Sequence, residues 1–148
     1  MLHLWAQLLS GGHAWRGGGG TPAPYAHSGK VTMDKLPKRP IGLCSDERFL
    51  EHLTPPGHPE RPDRVRRLVQ HLRDTGLLGR LQQIPPRAAR TEELESVHTP
   101  DHILRIKRIC EAGGGTLDAG DTHASPASYR VALLAAGSVL SCIDAVLT

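Results

Sequence analysis

The chain has 148 residues, enough for about one domain. Its 18 Lys and Arg against 15 Asp and Glu leave a formal charge of +3, with the two signs intermixed after Asp34. That balance is too mild for a nucleic-acid binder, and the basic residues read as a solvated surface. Cys44, Cys110 and Cys142 are widely spaced in apolar contexts, with no Cys-x-x-Cys. This predicts free thiols in a reducing compartment, not a disulfide framework or a zinc knot.

Residues 1–38 form a separate regime. Gly11-Gly12, the run Gly17 to Gly20, Pro22 and Pro24 are low in complexity, and no acid precedes Asp34. Such a stretch cannot bury enough surface to offset its ordering entropy, so a poorly ordered extension is expected. Its few acids are also those of an organelle transit peptide. The expected location is therefore cytoplasmic, with mitochondrion or plastid as the alternative.

Ile41 to Cys44 reads as a buried first strand. The loop Glu51 to Pro59 is stiffened by Pro55, Pro56 and Pro59. A helix over Glu60 to Thr75 has Val65, Leu68, Val69 and Leu72 on one face and ends at Gly76 in the C′ position. Leu81 to Ile84 reads as a second short strand, closed by Pro85-Pro86. Thr91 is the expected cap of a short helix, and Thr99-Pro100 opens another through Glu111, with Ile103, Ile106, Ile109 and Cys110 inward. Gly113 to Gly115 stops it, and Thr116 to Ala124 is expected as loop.

The last stretch, Ser125 to Thr148, predicts a helix capped by Ser125 with Pro126 in its first turn. It would be roughly 33 Å long. Val131, Leu134, Val139, Leu140, Ile143 and Val146 spread around it, as on a helix meant to be covered on all sides. Its uncharged run of 13 residues is shorter than the ~20 of a membrane span. A core helix of an α/β protein is expected, awaiting layers that the preceding segments do not supply.

Chemistry is sparse by spacing alone. His98 and His102 are four apart, but Pro100 puts His98 outside the helix of His102, so a shared face is not expected, and a metal role is not assigned. His52 and His58, near Glu51 and Glu60, are unspecific. Gly113-Gly114-Gly115-Thr116 follows a helix, which is the wrong context for a phosphate loop. Asp118 and Asp121 stand on a loop, where capping and substrate contact are both open. Ser45, Ser125 and Ser128 have no nucleophile elbow around them.

Several segments taken together carry more. These are Pro40-Ile41-Gly42-Leu43-Cys44-Ser45-Asp46-Glu47-Arg48-Phe49-Leu50, then Gly57-His58-Pro59-Glu60-Arg61-Pro62-Asp63-Arg64, then Glu92-Glu93-Leu94 with Val97-His98-Thr99-Pro100. Asp121-Thr122, Ser125-Pro126-Ala127-Ser128-Tyr129 and Ala132 to Ser138 complete the set. In this order they resemble the N-terminal part of class II histone deacetylases, most like the bacterial deacetylase and acetylpolyamine amidohydrolase branch. Residues 39–148 would then be an incomplete deacetylase-like domain. The resemblance implies an arginase-like α/β fold, a parallel sheet with helices on both faces. It also implies zinc-dependent hydrolysis of an acetyl amide, on acetyl-lysine or acetylpolyamine. The zinc ligands and acid–base histidines of that family match none of the residues here, so no bound zinc and no activity are expected of this chain alone. Asp121 matches a rim acid that contacts the substrate backbone, and the His58 to Pro62 loop matches one that shapes the pocket rim. A protein partner covering the last helix is the alternative role; no nucleic acid or membrane is expected.

Overall fold

The computed structural model describes residues 40–148; the expected disordered extension, 1–38, and its transit-peptide reading lie outside them. Strand β1 (Gly42–Leu43) runs parallel to β2 (Gln82–Gln83), Gly42 opposite Gln82 and Leu43 opposite Gln83. Bonds from Gln82 N to Ile41 O (2.9 Å) and from Ile84 N to Leu43 O (2.8 Å) complete the ladder. Between the strands lie a 3-10 helix (Glu47–Glu51), helix α1 (Pro62–Asp74) and a 3-10 turn (Leu78–Arg80). This is the strand–helix–strand crossover that parallel pairing requires. Both expected strands exist, but two strands leave β1 thinly covered: Ile41 is 59% exposed, not buried.

Helix α1 spans nearly the expected range. Its Val65, Val69 and Leu72 are half-buried, while Leu68 remains exposed. Thr75 and Gly76 close its end through bonds to His71 O and Arg73 O, with Gly76 at φ +69°. The short helix α2 (Thr91–Glu95) starts at its expected cap, Thr91, so the cap moves one residue earlier. Arg90 is the cap, and Glu93 reaches back to the Arg90 N–H (2.8 Å) while holding the Arg87 guanidinium at 2.8 and 2.9 Å. This bidentate pair keeps the Glu93 carboxyl at about 2.

Helix α3 (Pro100–Glu111) is capped by the Thr99 hydroxyl as expected, and Ile103 and Cys110 are buried. The segment expected as plain loop is a small antiparallel hairpin, β3 (Gly115–Thr116) with β4 (His123–Ala124). The last helix, α4 (Ser128–Leu147), begins two residues after the expected start at Pro126. Ser125 is not its cap: Ser125 O accepts from Ser128 N in a turn, and Ser125 N donates to Ser128 Oγ (2.7 Å).

α4 organises the rest. It packs on the first 3-10 helix, on α3 and on β1. Phe49, Val131, Leu134 and Ala135 form the core. Where α4 crosses the segment Arg87–Ala89, Leu133 O accepts from Ala89 N (2.8 Å) and Gly137 lets the backbones meet. Its 20 residues are long and apolar enough to cross a membrane by length and composition, although the uncharged run had argued against it. Its first three turns are nonetheless packed in a core. Beyond them coverage fails: Val139 and Ile143 are each 46% exposed, Val146 83% and Leu147 79%.

Candidate functional site

The expected substrate residue, Asp121, sits at the tip of the β3–β4 hairpin, exposed, on the rim of a cleft of about 230 Å³. The opposite rim is the Pro55–Pro59 loop. Pro55-Pro56-Gly57-His58 is a type II turn: His58 N donates to Pro55 O (3.1 Å), and Gly57 takes φ +81° at the third position. Proline presets the second position, and glycine is the residue that tolerates the third.

The turn aims His58 across the cleft. His58 Nδ1 lies 3.0 Å from Glu60 N, which donates to it, and 3.1 Å from Glu60 O; because the Asp121 carbonyl facing Nε2 can only accept, Nε2 carries a proton in this arrangement. Nε2 then donates to the Asp121 carbonyl (3.0 Å), while the ring meets His123 edge-on at 5.4 Å. Thr54 Oγ1 donates to Glu60 O, and the Glu60 carboxylate holds Arg64 at 2.8 Å. The His58 loop thus fixes the backbone of Asp121.

The two loop acids separate cleanly. Asp118 accepts from Gly120 N (3.0 Å), Thr122 N (3.3 Å) and Thr122 Oγ1 (2.8 Å), closing the hairpin loop. Asp121 is exposed and lines the cleft.

Beneath the cleft lies a buried network that spacing did not reveal. His52 Nδ1 meets Ser128 Oγ at 2.7 Å, Ser128 Oγ is 3.0 Å from Ser125 Oγ, and Leu53 N donates to Ser125 Oγ (3.2 Å). Ser128 is 2% exposed and His52 6%. A serine shut off from solvent is no nucleophile here; the network ties the loop after the first 3-10 helix to the start of α4.

His98 and His102 do come together, against expectation. The chain turns sharply at Thr99-Pro100, so the rings stack across the helix junction, centroids 5.3 Å apart. His102 Nε2 is buried without a hydrogen-bond partner. They edge an apolar cleft of about 510 Å³ between α2, α3 and α4. A second, of about 540 Å³, lies on the other side of α4 against Cys44 and Phe49.

Burial holds His52, His98 and His102 below the ordinary histidine value of 6.5; His58 adds repulsion at His52, His102 at His98 and Arg105 at His102. The unfolded chain therefore takes up protons near pH 6.5 that the folded chain resists. Stability is fully present above that pH and declines as pH falls through it toward the folded values. The urea midpoint is expected to drop between about pH 7.5 and about pH 5.5. An unchanged midpoint would mean that these rings are hydrated in solution.

Among the described residues, no three His, Cys, Asp or Glu side chains are grouped to hold a metal ion. In the cleft, both His58 nitrogens and His52 Nδ1 are already engaged in hydrogen bonds. The donor set here does not fit the zinc implied by the resemblance.

Residues 58–148 match the histone deacetylase domain, and the chain belongs to that family. It is 41% identical over 91 residues to a histone deacetylase-like amidohydrolase of Pseudomonas aeruginosa, covering 62% of this chain and 24% of that protein. It is 36% identical over 96 residues to the polyamine deacetylase HDAC10 of Homo sapiens, covering 60% and 14%. The crystal structure of the HDA15 HD domain superposes with a TM-score of 0.63 at 33% identity, over 68% of this chain and 30% of that one. The chain thus spans about a quarter of the length of the Pseudomonas relative. The architecture is accordingly a partial α/β, arginase-like domain, mostly helical with few strands.

Proposed function

We propose that this segment builds one rim of the substrate entrance in a deacetylase acting on acetyl-lysine or acetylpolyamine, and that it hydrolyses nothing alone. The observation that carries this is the domain match over residues 58–148, which contains Asp121. Names of the relatives support the substrate class: one is a histone deacetylase-like amidohydrolase and another a polyamine deacetylase. In this reading Asp121 accepts a hydrogen bond from a substrate N–H while His58 holds its backbone still. The metal and acid–base groups belong to residues other than 40–148. The apolar clefts beside α4 are seats for the remaining layers of the domain.

Two assays test this. The 148-residue chain with added zinc is expected to turn over neither an acetyl-lysine peptide nor an acetylpolyamine; chelator-sensitive turnover would refute its inactivity. A chimera carrying residues 58–148 in place of the matching segment of the Pseudomonas amidohydrolase is expected to deacetylate. In it, Asp121→Ala should lower kcat/KM by about tenfold or more, the worth of one hydrogen bond to a charged group. An unchanged kcat/KM would remove Asp121 from the rim role and leave the family reading standing.

The exposed row Val139, Ile143, Val146 and Leu147 favours a second reading, in which α4 docks on a separate protein. Light scattering separates the two. A defined complex with a deacetylase polypeptide supports docking, whereas self-association of the chain alone supports an unfinished domain.

A further inference from the structure

Cys44 follows β1 directly, and Cys142 lies one turn from the uncovered end of α4. The sequence separates them by nearly the whole described chain, yet they line the same cleft, beside Phe49, Ser138 and Val139. Both are free and only half-buried, whereas Cys110 is 2% exposed within α3. β1 and α4 pack directly against each other, and the Cys44 and Cys142 side chains lie close enough to interact. Burial first, and then the neighbouring Cys44 sulfur, hold the Cys142 thiol above its ordinary range, which makes Cys142 the poorer first nucleophile.

We propose that Cys44 and Cys142 form a reversible disulfide that clamps α4 to β1 under peroxide. The Cys44 thiolate attacks hydrogen peroxide, cleaving the O–O bond, and becomes a sulfenic acid; the hydroxide released takes the proton that the thiol gave up to solvent and leaves as water. The Cys142 sulfur then attacks the sulfenic sulfur, the C–S–OH oxygen leaves as a second water with the Cys142 proton, and the S–S bond forms. Two thiols are oxidised by two electrons, and one peroxide is reduced to two waters. A dithiol reductant reverses the link by exchange. The clamp joins the first described strand to the last helix, closing a loop that encloses almost every described element. Such a cross-link restricts the unfolded chain strongly.

The test oxidises the full 148-residue chain with hydrogen peroxide, under native conditions and in concentrated urea, followed by non-reducing peptide mapping. In the native chain the expected product is an intramolecular Cys44–Cys142 link with Cys110 unmodified. In urea the expected product shifts to Cys110–Cys142, the pair closest in sequence, because only loop length then governs encounter. The native oxidised chain should melt about 5 °C or more above the reduced one, reverting with dithiothreitol. Cys110→Ser should retain the link. Any of three results overturns the proposal: native links through Cys110, disulfides between chains, or separate sulfinic acids at Cys44 and Cys142. The readout is a covalent bond, so it stands or falls independently of deacetylase activity.

Discussion

Alanine at Phe49 is expected to destabilise the chain by about 3 kcal/mol, the lower end of the range for buried phenylalanine truncation. Phe49 is the sole phenylalanine of the sequence. It sits on the 3-10 helix and packs on Val131, Leu134 and Ala135 of α4. The lower end applies because the ring also faces the open cleft beside Cys142, so part of the vacated space is already in contact with solvent. Whole domains are stable by only about 5–15 kcal/mol, so this one ring decides whether the 3-10 helix stays docked. Urea unfolding followed by circular dichroism measures it. Phe49→Leu, which keeps most of the volume, should lose less than about 1.5 kcal/mol. A loss below about 1 kcal/mol for the alanine variant would mean that α4 is not held through this contact.

Gly137→Ala tests the other side of α4, and there two effects oppose. In an exposed helix interior the change would gain about 1 kcal/mol from propensity. Here the added Cβ would fall on the carbonyl oxygen of Arg87 and on the backbone of Ala88 and Ala89. Backbone atoms cannot swing aside as a flexible side chain does. Separating the elements would also stretch the bond from Ala89 N to Leu133 O, now 2.8 Å. Overpacking of this kind costs about 1–3 kcal/mol, so a net loss of about 2 kcal/mol is expected. A stabilised variant, read by the same urea titration, would show that the crossing is looser than the backbone approach implies. Ala136→Gly, on the neighbouring position, should show only the propensity loss of about 1 kcal/mol plus a small cavity cost.

How much of this was legible depends on how local the cause is. The α1 helix, the Gly76 stop and the Thr99-Pro100 start obey rules that act within one or two turns, and each appears close to where the residues placed it, although Leu68 of the α1 stripe stays exposed. The two strands were found from apolar runs, but their coverage was not, because burial depends on layers that no single run encodes. Ser125-Pro126 misled for a definable reason. Serine followed by proline satisfies both a helix cap and a turn, and the buried Ser128 hydroxyl, bonded to Ser125 N, settled it as a turn. The β3–β4 hairpin has two residues per strand, Gly-Thr and His-Ala, too short and too polar to show alternation. In the candidate site, Asp121 is singled out only through the resemblance. Its separation from Asp118 rests on hydrogen bonds that spacing cannot distinguish. The His52–Ser128 bond joins residues 76 apart, and the His98–His102 stack forms across a bend, so neither follows from helical periodicity.

The Pro55-Pro56-Gly57-His58 turn has a consequence for selectivity. Two adjacent prolines restrict that stretch even in the denatured chain, so little freedom remains to be surrendered when a ligand arrives. If the proposed rim role of Asp121 holds, a guest meeting it encounters a rim already set in shape, and discrimination rests on whether the guest fits, with little room for the rim to remould itself around a poor one. Loosening the tip with Pro56→Ser should widen the range of accepted guests while shortening the residence of each.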